Sequence, residues 1–217
     1  MNAGWEKIVG SEKLALQTSN FLNTFNPRNF TSPEVLIRES IQNSMDAGSG
    51  IKGIPKIEFH HVSISHEKKS EFLDLFDFKN TINPISESIK DADKDKSLFE
   101  HFESLLDEED ELDALVIRDF NTCGLKGRLR KNDKTDFFWR LVCSLGLDDK
   151  SENDSSYGGS YGIGKTVYAI NSRVNTVMFH SVFEPSEETD GVNRRFMIQG
   201  IYPSHKIYDE KYTGFYY

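Results

Sequence analysis

The sequence predicts an α/β fold in which helices cover one face of a mixed β-sheet of four or more strands. Three observations carry this expectation. Short runs of β-branched and aromatic residues recur at 56–65, 115–119, 175–183 and 194–202, the signature of strands. Between them lie segments whose apolar residues repeat at helical spacing, at 33–47, 98–106, 137–145 and 165–170. A length of 217 residues is enough for a single domain with a core of its own.

Composition narrows the class. With 35 acidic against 26 basic residues the net charge is −9, so the chain lacks the electrostatic footprint of direct nucleic-acid binding. Cys123 and Cys143 are too few for a disulfide framework and lack metal-ligand spacing, which suits a reducing compartment. No segment approaches the roughly 18 apolar residues of a membrane span, and Met1–Lys7 has no signal-like apolar region. A cytoplasmic protein without membrane partners is expected.

Residues 1–30 read as an entry segment with one short helix around Lys13–Asn23, ending at the Asn26-Pro27-Arg28-Asn29 turn signal. Ser32 and Pro33 then supply an N-cap and a proline suited to the first helical position, so a helix starts there. Gly48, Gly50 and Gly53 end it. At about 100° per residue, Ile37, Ile41 and Met45 fall within about 80° of arc as an apolar stripe. Glu39, Asn43 and Asp46 gather on the other side within about 60°. Two carboxylates and a carboxamide on one face can position a water and hold a divalent cation through oxygens. The plain alternative is an amphipathic helix with a solvated polar face.

Lys56–Ser65 alternates as a strand. Residues 66–113 differ in kind: acidic and lysine-rich, with Leu98, Phe99, Phe102, Leu105 and Leu106 at helical spacing, they read as an acidic, mainly helical insertion. Leu115–Ile117 is a buried strand that delivers Asp119 at its end. A turn-rich segment, Asn121–Gly127, follows it, and Phe137–Leu145 reads as a buried helix. Asp148–Ser156 is polar, and Gly158–Gly164 leads into a helix from Lys165 to Ile170.

Gly159-Ser160-Tyr161-Gly162-Ile163-Gly164-Lys165-Thr166 matches the P-loop pattern letter for letter. Its context does not. A P-loop follows directly on a hydrophobic strand, and the residues before these glycines are polar and acidic; the one strand ending in aspartate precedes the glycines instead. In either setting, small residues let backbone amides approach phosphate oxygens, the following helix turns its positive end toward the anion, and Lys165 adds a charge.

Taken together, Arg38-Glu39-x-x-x-Asn43-Ser44-x-Asp46-Ala47, the strand-borne Asp119 and the glycine loop resemble, in order and spacing, the GHKL or Bergerat-fold ATPases, with the first run similar to their N box. The resemblance spans about Asn20–Tyr202. It implies a two-layer Bergerat sandwich binding ATP and Mg²⁺. Glu39 would be the general base for the attacking water, Asn43 would hold magnesium, and Asp46 would belong to the same nucleotide-binding helix. Asp119 and the Gly124 turn would receive the adenine, and Gly159–Lys165 would form a lid over the phosphates, with Thr166 also among the nucleotide-binding residues. The second box departs from Asp-x-Gly-x-Gly, since Asn121 stands at the first glycine and an extra residue precedes Gly124. Asparagine tolerates the left-handed turn better than most residues.

Within the resemblance, a glutamate at position 39 implies hydrolysis over phosphotransfer, and His60, His61, His66, His101, His180 and His205 all lie downstream of the N-box-like run, reading as ordinary residues. The lid with its lysine looks most similar to prokaryotic MORC-like and MutL-like ATPases, which implies a slow, ATP-driven conformational switch linked to DNA-related or antiviral defence systems. It also implies ATP-dependent homodimerisation through residues 1–30. A lysine or polar residue reaching the γ-phosphate would come from a downstream domain or protein partner beyond Tyr217. The alternatives are a nucleotide-responsive interaction module with little turnover and a P-loop NTPase built on Gly159–Thr166.

Overall fold

A computed structural model describes residues 5, 7–9, 32–48, 50, 53–107, 110–127, 137–138, 141–142, 163–208 and 210–216. In chain order these form β1 (Lys7–Val9), α1 (Ser32–Gly48), β2 (Lys56–Ile64), α2 (His66–Leu75), α3 (Phe78–Ile89), α4 (Lys96–Leu106), β3 (Leu112–Phe120), α5 (Ile163–Ile170), β4 (Thr176–Val182), β5 (Arg194–Ile201), β6 (His205–Ile207) and β7 (Glu210–Tyr216). The fold is mixed α/β, as expected.

The sheets differ from expectation. One has the order β1-β7-β5-β4 with β6 also on β7, and the other is the pair β2-β3. Every pairing among the described strands is antiparallel, where a mixed sheet was expected. The cause lies in the connections. β4 to β5 and β6 to β7 are short returns that can only reverse direction, and β1 and β7 meet head to tail from opposite ends of the sequence.

The 66–113 segment supplies α2, α3 and α4 and runs into the first residues of β3. Most of its charges face water while Leu73, Phe78, Ile82, Ile85, Ile89, Phe102 and Leu105 pack with Ile198, Tyr202 and Tyr216, the last two beside and within the larger sheet. These helices therefore carry most of the largest core cluster. Lys69, nearly inaccessible, ties them together: its ammonium donates to the carbonyls of Ser104 (3.0 Å), Asp107 (2.7 Å) and Asp110 (3.1 Å), at the end of α4 and the approach to β3. Carbonyls at a helix C-terminus lack intrahelical donors, and a cation there satisfies them.

Trp5 and β1 pack within their own chain. Trp5 Nε1 donates to the Phe76 carbonyl at 2.8 Å, and its ring meets Phe78 and Tyr216 edge-on. The rest of 1–30, with the short helix expected at 13–23, lies outside the described residues.

The orientation of α1 is a correction. Its expected apolar stripe is exposed, with Ile37 at 47%, Ile41 at 43% and Met45 at 52% relative accessibility. The buried side is Val35, Leu36, Ser40, Ser44 and Gly48. Short side chains let the α1 backbone approach α5, where Val35 and Leu36 pack with Val167, Tyr168 and Ile117 of β3. Two serine hydroxyls tolerate that burial because each finds an acceptor. None of the helices among the described residues is long and apolar enough to cross a membrane.

Candidate functional site

Three elements converge on Tyr168. It lies on α5, four residues after Gly164, packed between the α1–β3 cluster and a second cluster of Phe138, Val142 and Phe179. Asn43, one position round α1 from its buried serine face, donates Nδ2 to the Tyr168 hydroxyl at 3.0 Å. Ser40 and the Asp119 and Glu39 carboxylates lie near enough to act on that hydroxyl. Burial is the largest cause raising the Tyr168 pKa; Asn43, through its hydrogen bond, and Ser40 oppose it, and the two carboxylates add to it.

Asp119 arrives by strand alternation. Ile117 packs toward α1 and α5, and the period of two puts Asp119 on that same face at the strand's end. Ser44 donates Oγ to Asp119 Oδ2 at 3.3 Å, joining strand and helix by side chains. The turn beyond is sewn to the same helix, since the Cys123 amide donates to the Ala47 carbonyl at 2.9 Å.

The Asn121–Gly127 turn has a local explanation. Asn121 takes φ 58°, the left-handed conformation that glycine would have supplied, and its Nδ2 donates to the Ile54 carbonyl at 3.0 Å. Gly124 has φ 67°, and a Cβ there would sit 2.7 Å from the Val182 carbonyl oxygen. The position needs glycine so that the turn can lie against β4, where the Leu125 amide also donates to Ser181 Oγ at 2.7 Å.

Glu39, Asn43 and Asp119 are thus brought together, as their sequence pattern suggested. Asp46 lies apart: it is exposed, accepts a hydrogen bond from Gln42 Nε2 at 2.8 Å, and is not among the charges acting on Tyr168. Ile163, Gly164, Lys165 and Thr166 form the first turn of α5, which starts two residues before the expected Lys165. Gly159, Ser160, Tyr161 and Gly162 lie outside the described residues, as do most of the 137–145 helix and the 148–156 loop. Ser40, Ser44 and Tyr168 are the polar contributors that side-chain type alone did not mark. Two shallow concavities lie elsewhere, beside Pro185–Gly191 and along the outer side of α1 at Glu34–Gln42. Convergence of polar groups, not cavity shape, defines the site.

Among the described residues no group of three His, Cys, Asp or Glu side chains is placed to hold a metal. The half-buried Asn43 and Glu39 offer hard oxygen donors in small number. That set fits Mg²⁺, which keeps several waters and takes much of its coordination from substrate phosphates. No known protein family, curated protein or solved structure matches the chain in comparison.

Proposed function

We propose that this chain is a Bergerat-type ATP-binding and ATP-hydrolysing domain that works as a slow, nucleotide-driven conformational switch. The observation that carries the reading is the meeting of the α1 polar face with the end of β3, through Ser44 and Asp119, beneath the helix that follows the glycine loop. Sequence order places these segments far apart. Their convergence is what a nucleotide spanning adenine and phosphate subsites requires.

In this reading Ser44 occupies Asp119 Oδ2 and steadies the carboxylate, whose other oxygen accepts the adenine amino group. Glu39, half-buried beside Asn43, takes a proton from water as the water oxygen bonds to the γ-phosphorus and the bond to the β-phosphate oxygen breaks, leaving ADP and phosphate. Asn43 would hold Mg²⁺, which would supply charge neutralisation when bound with the nucleotide. The first turn of α5 turns its positive end toward the phosphates. The antiparallel pairing of β3 weighs against a P-loop, whose glycines follow a strand of a parallel βαβ unit.

The test is thermal unfolding with a non-hydrolysable ATP analogue. A ligand bound only by the folded chain adds about 2.7 kcal/mol at a hundredfold excess over Kd. The shift should require Mg²⁺ for its full size and vanish in Asp119→Ala. Calorimetry with ADP separates the P-loop alternative: binding lost in Lys165→Ala but kept in Asp119→Ala would favour that architecture.

A further inference from the structure

The smaller sheet has β2 as its outer strand. β2 and β3 pair antiparallel along their whole length, Lys56–Ile64 against Leu112–Phe120, without a bulge, and no further strand joins them among the described residues. β3 is the inner of the two, since Leu112 and Ile117 reach the core clusters. No β2 side chain belongs to a core cluster among the described residues, and Phe59 is 40% and Val62 39% exposed. A two-stranded ribbon is marginal by itself, and an outer strand invites another strand unless proline, lysine or a bulge blocks it. β2 has little such guard. It holds no proline, and its one lysine, Lys56, stands at the first position with its ammonium 2.5 Å from Glu58.

The β2 sequence is complementary to itself in one register. Strands related by a two-fold axis normal to the sheet run antiparallel and keep their faces, so one residue lies opposite its own copy. With Phe59 on the axis the two phenyl rings are directly opposite, and Ile117, Phe59 and their copies form one apolar row across four strands. On the other face Glu58 stands opposite His60 of the second copy, twice by symmetry. The chain already makes that pairing within β2, where the Glu58 carboxylate meets His60 Nε2 at 3.0 Å. An axis at Glu58 would set two carboxylates opposite each other, and one at His60 or His61 would set Glu58 against Val62 or Ile64. An axis at Ile57 would confine the overlap to Lys56–Glu58.

Independently of the nucleotide reading, we propose that β2 is a homodimer edge: two copies of this chain join β2 to β2 antiparallel about Phe59, making one four-stranded sheet. The overlap covers Lys56–Val62. Such a contact closes on itself, because it uses the same edge on both copies.

The experiment is sedimentation of the full chain, without nucleotide, across a concentration series. The unmodified chain should pass from monomer to dimer. Phe59→Lys puts like charges directly opposite and should raise the dimer Kd about 10-fold or more, with the monomer's melting temperature kept because Phe59 packs in no core cluster among the described residues. Glu58→Lys and His60→Glu should each weaken self-association, and their equimolar mixture should regain it. In the mixed dimer the new lysine faces the new glutamate, and the remaining His60 faces the remaining Glu58. Register is read by mild oxidation of Phe59→Cys and of His61→Cys, each in a Cys123→Ser, Cys143→Ser background. Position 59 should cross-link, and position 61, offset from its copy by about 13 Å along the strand, should not.

A chain that stays monomeric throughout the series overturns the proposal. A dimer indifferent to Phe59→Lys also overturns it, because that dimer uses another surface. Cross-linking at 61 in place of 59, or a mixture that associates no better than its components, overturns the register and with it the pairing proposed.

Discussion

At the scale of single residues, the proposed ATPase reading separates groups that would grip the nucleotide from the one that would react. Glu39 lies on the Asn43 side of α1 but makes no contact that the fold depends on among the described residues. Glu39→Ala should therefore retain ATP binding and lose about two to four orders of magnitude in turnover, the usual contribution of a general base. Calorimetry and phosphate release on the same preparation check both halves. Gly124 is the opposite case, a residue kept for space and backbone angle: with φ 67° and a carbonyl 2.7 Å from the missing Cβ, Gly124→Ala should destabilise by more than about 1 kcal/mol. Urea unfolding measures it, and an unchanged midpoint would show that the turn can move off β4. The role of Asn121 was legible from sequence because its tolerance of the left-handed region is a property of the side chain itself. Tyr168 was not, because its partners lie on a helix 125 residues away in sequence.

Among the secondary-structure elements, Lys69 is the clearest single contributor. It is inaccessible, and its three acceptors belong to the end of α4 and the residues leading into β3. Lys69→Met keeps the length and removes the donors, leaving carbonyls unsatisfied at about 1–3 kcal/mol each where burial is complete. A loss of about 3 kcal/mol is expected, read as a lower urea midpoint. Lys79→Met is a suitable control, since its ammonium sits in a more exposed pairing with Asp74.

The strands β2, β3, β4 and β5 were readable because β-branched and aromatic residues cluster in them. β6 and β7 were missed. In β7 the alternation of Tyr212, Gly214 and Tyr216 is the pattern that could have revealed it, but lysine, glutamate and glycine dilute the apolar signal. Gly214 is needed there for contact: its φ is 90°, and a side chain would run into the backbone of Tyr202. On α1 the expectation followed the most hydrophobic side chains, whereas close approach to α5 selected the shortest. Periodicity located the helix and its polar residues correctly and assigned the wrong inner face.

The whole molecule places much of its aromatic content between α2–α4 and the larger sheet. Tyr202 and Tyr216 meet edge-on in that core; Tyr202 shares a hydrogen bond with Thr176, and Tyr216 with the buried His205 at 2.5 Å. Burial pushes both phenol pKa values well above the ordinary range, for Tyr216 with a further contribution from Tyr202 and Tyr212. The sign of the pH dependence follows. Once pH passes the unfolded tyrosine value of about 10, the unfolded chain releases protons that the folded chain retains, so stability falls as pH rises further. Below that point their contribution is constant. Melting temperatures should therefore decline from about pH 10 upward, with tyrosinate absorbance appearing together with unfolding. Early titration of all eight tyrosines in a still-folded chain would contradict the burial of this pair.

The pairing of β1 with β7 bears on the order in which the fold can be assembled. Lys7 lies opposite Tyr216, roughly 200 residues later, and β7 is also the neighbour of β5 and β6. On the ribosome, at about 5–20 residues per second, the first strand waits roughly 10–40 s for its mate to be made. Until β7 is made, the apolar inner faces of α2, α3 and α4, and then the edge of β5, have no closing strand. The hazard of misassociation is thus concentrated before β7 is made, and that seven-residue strand acts as the clasp. Shortening the chain before Glu210 should produce collapsed, aggregation-prone material, even though every segment of the candidate site would still be present.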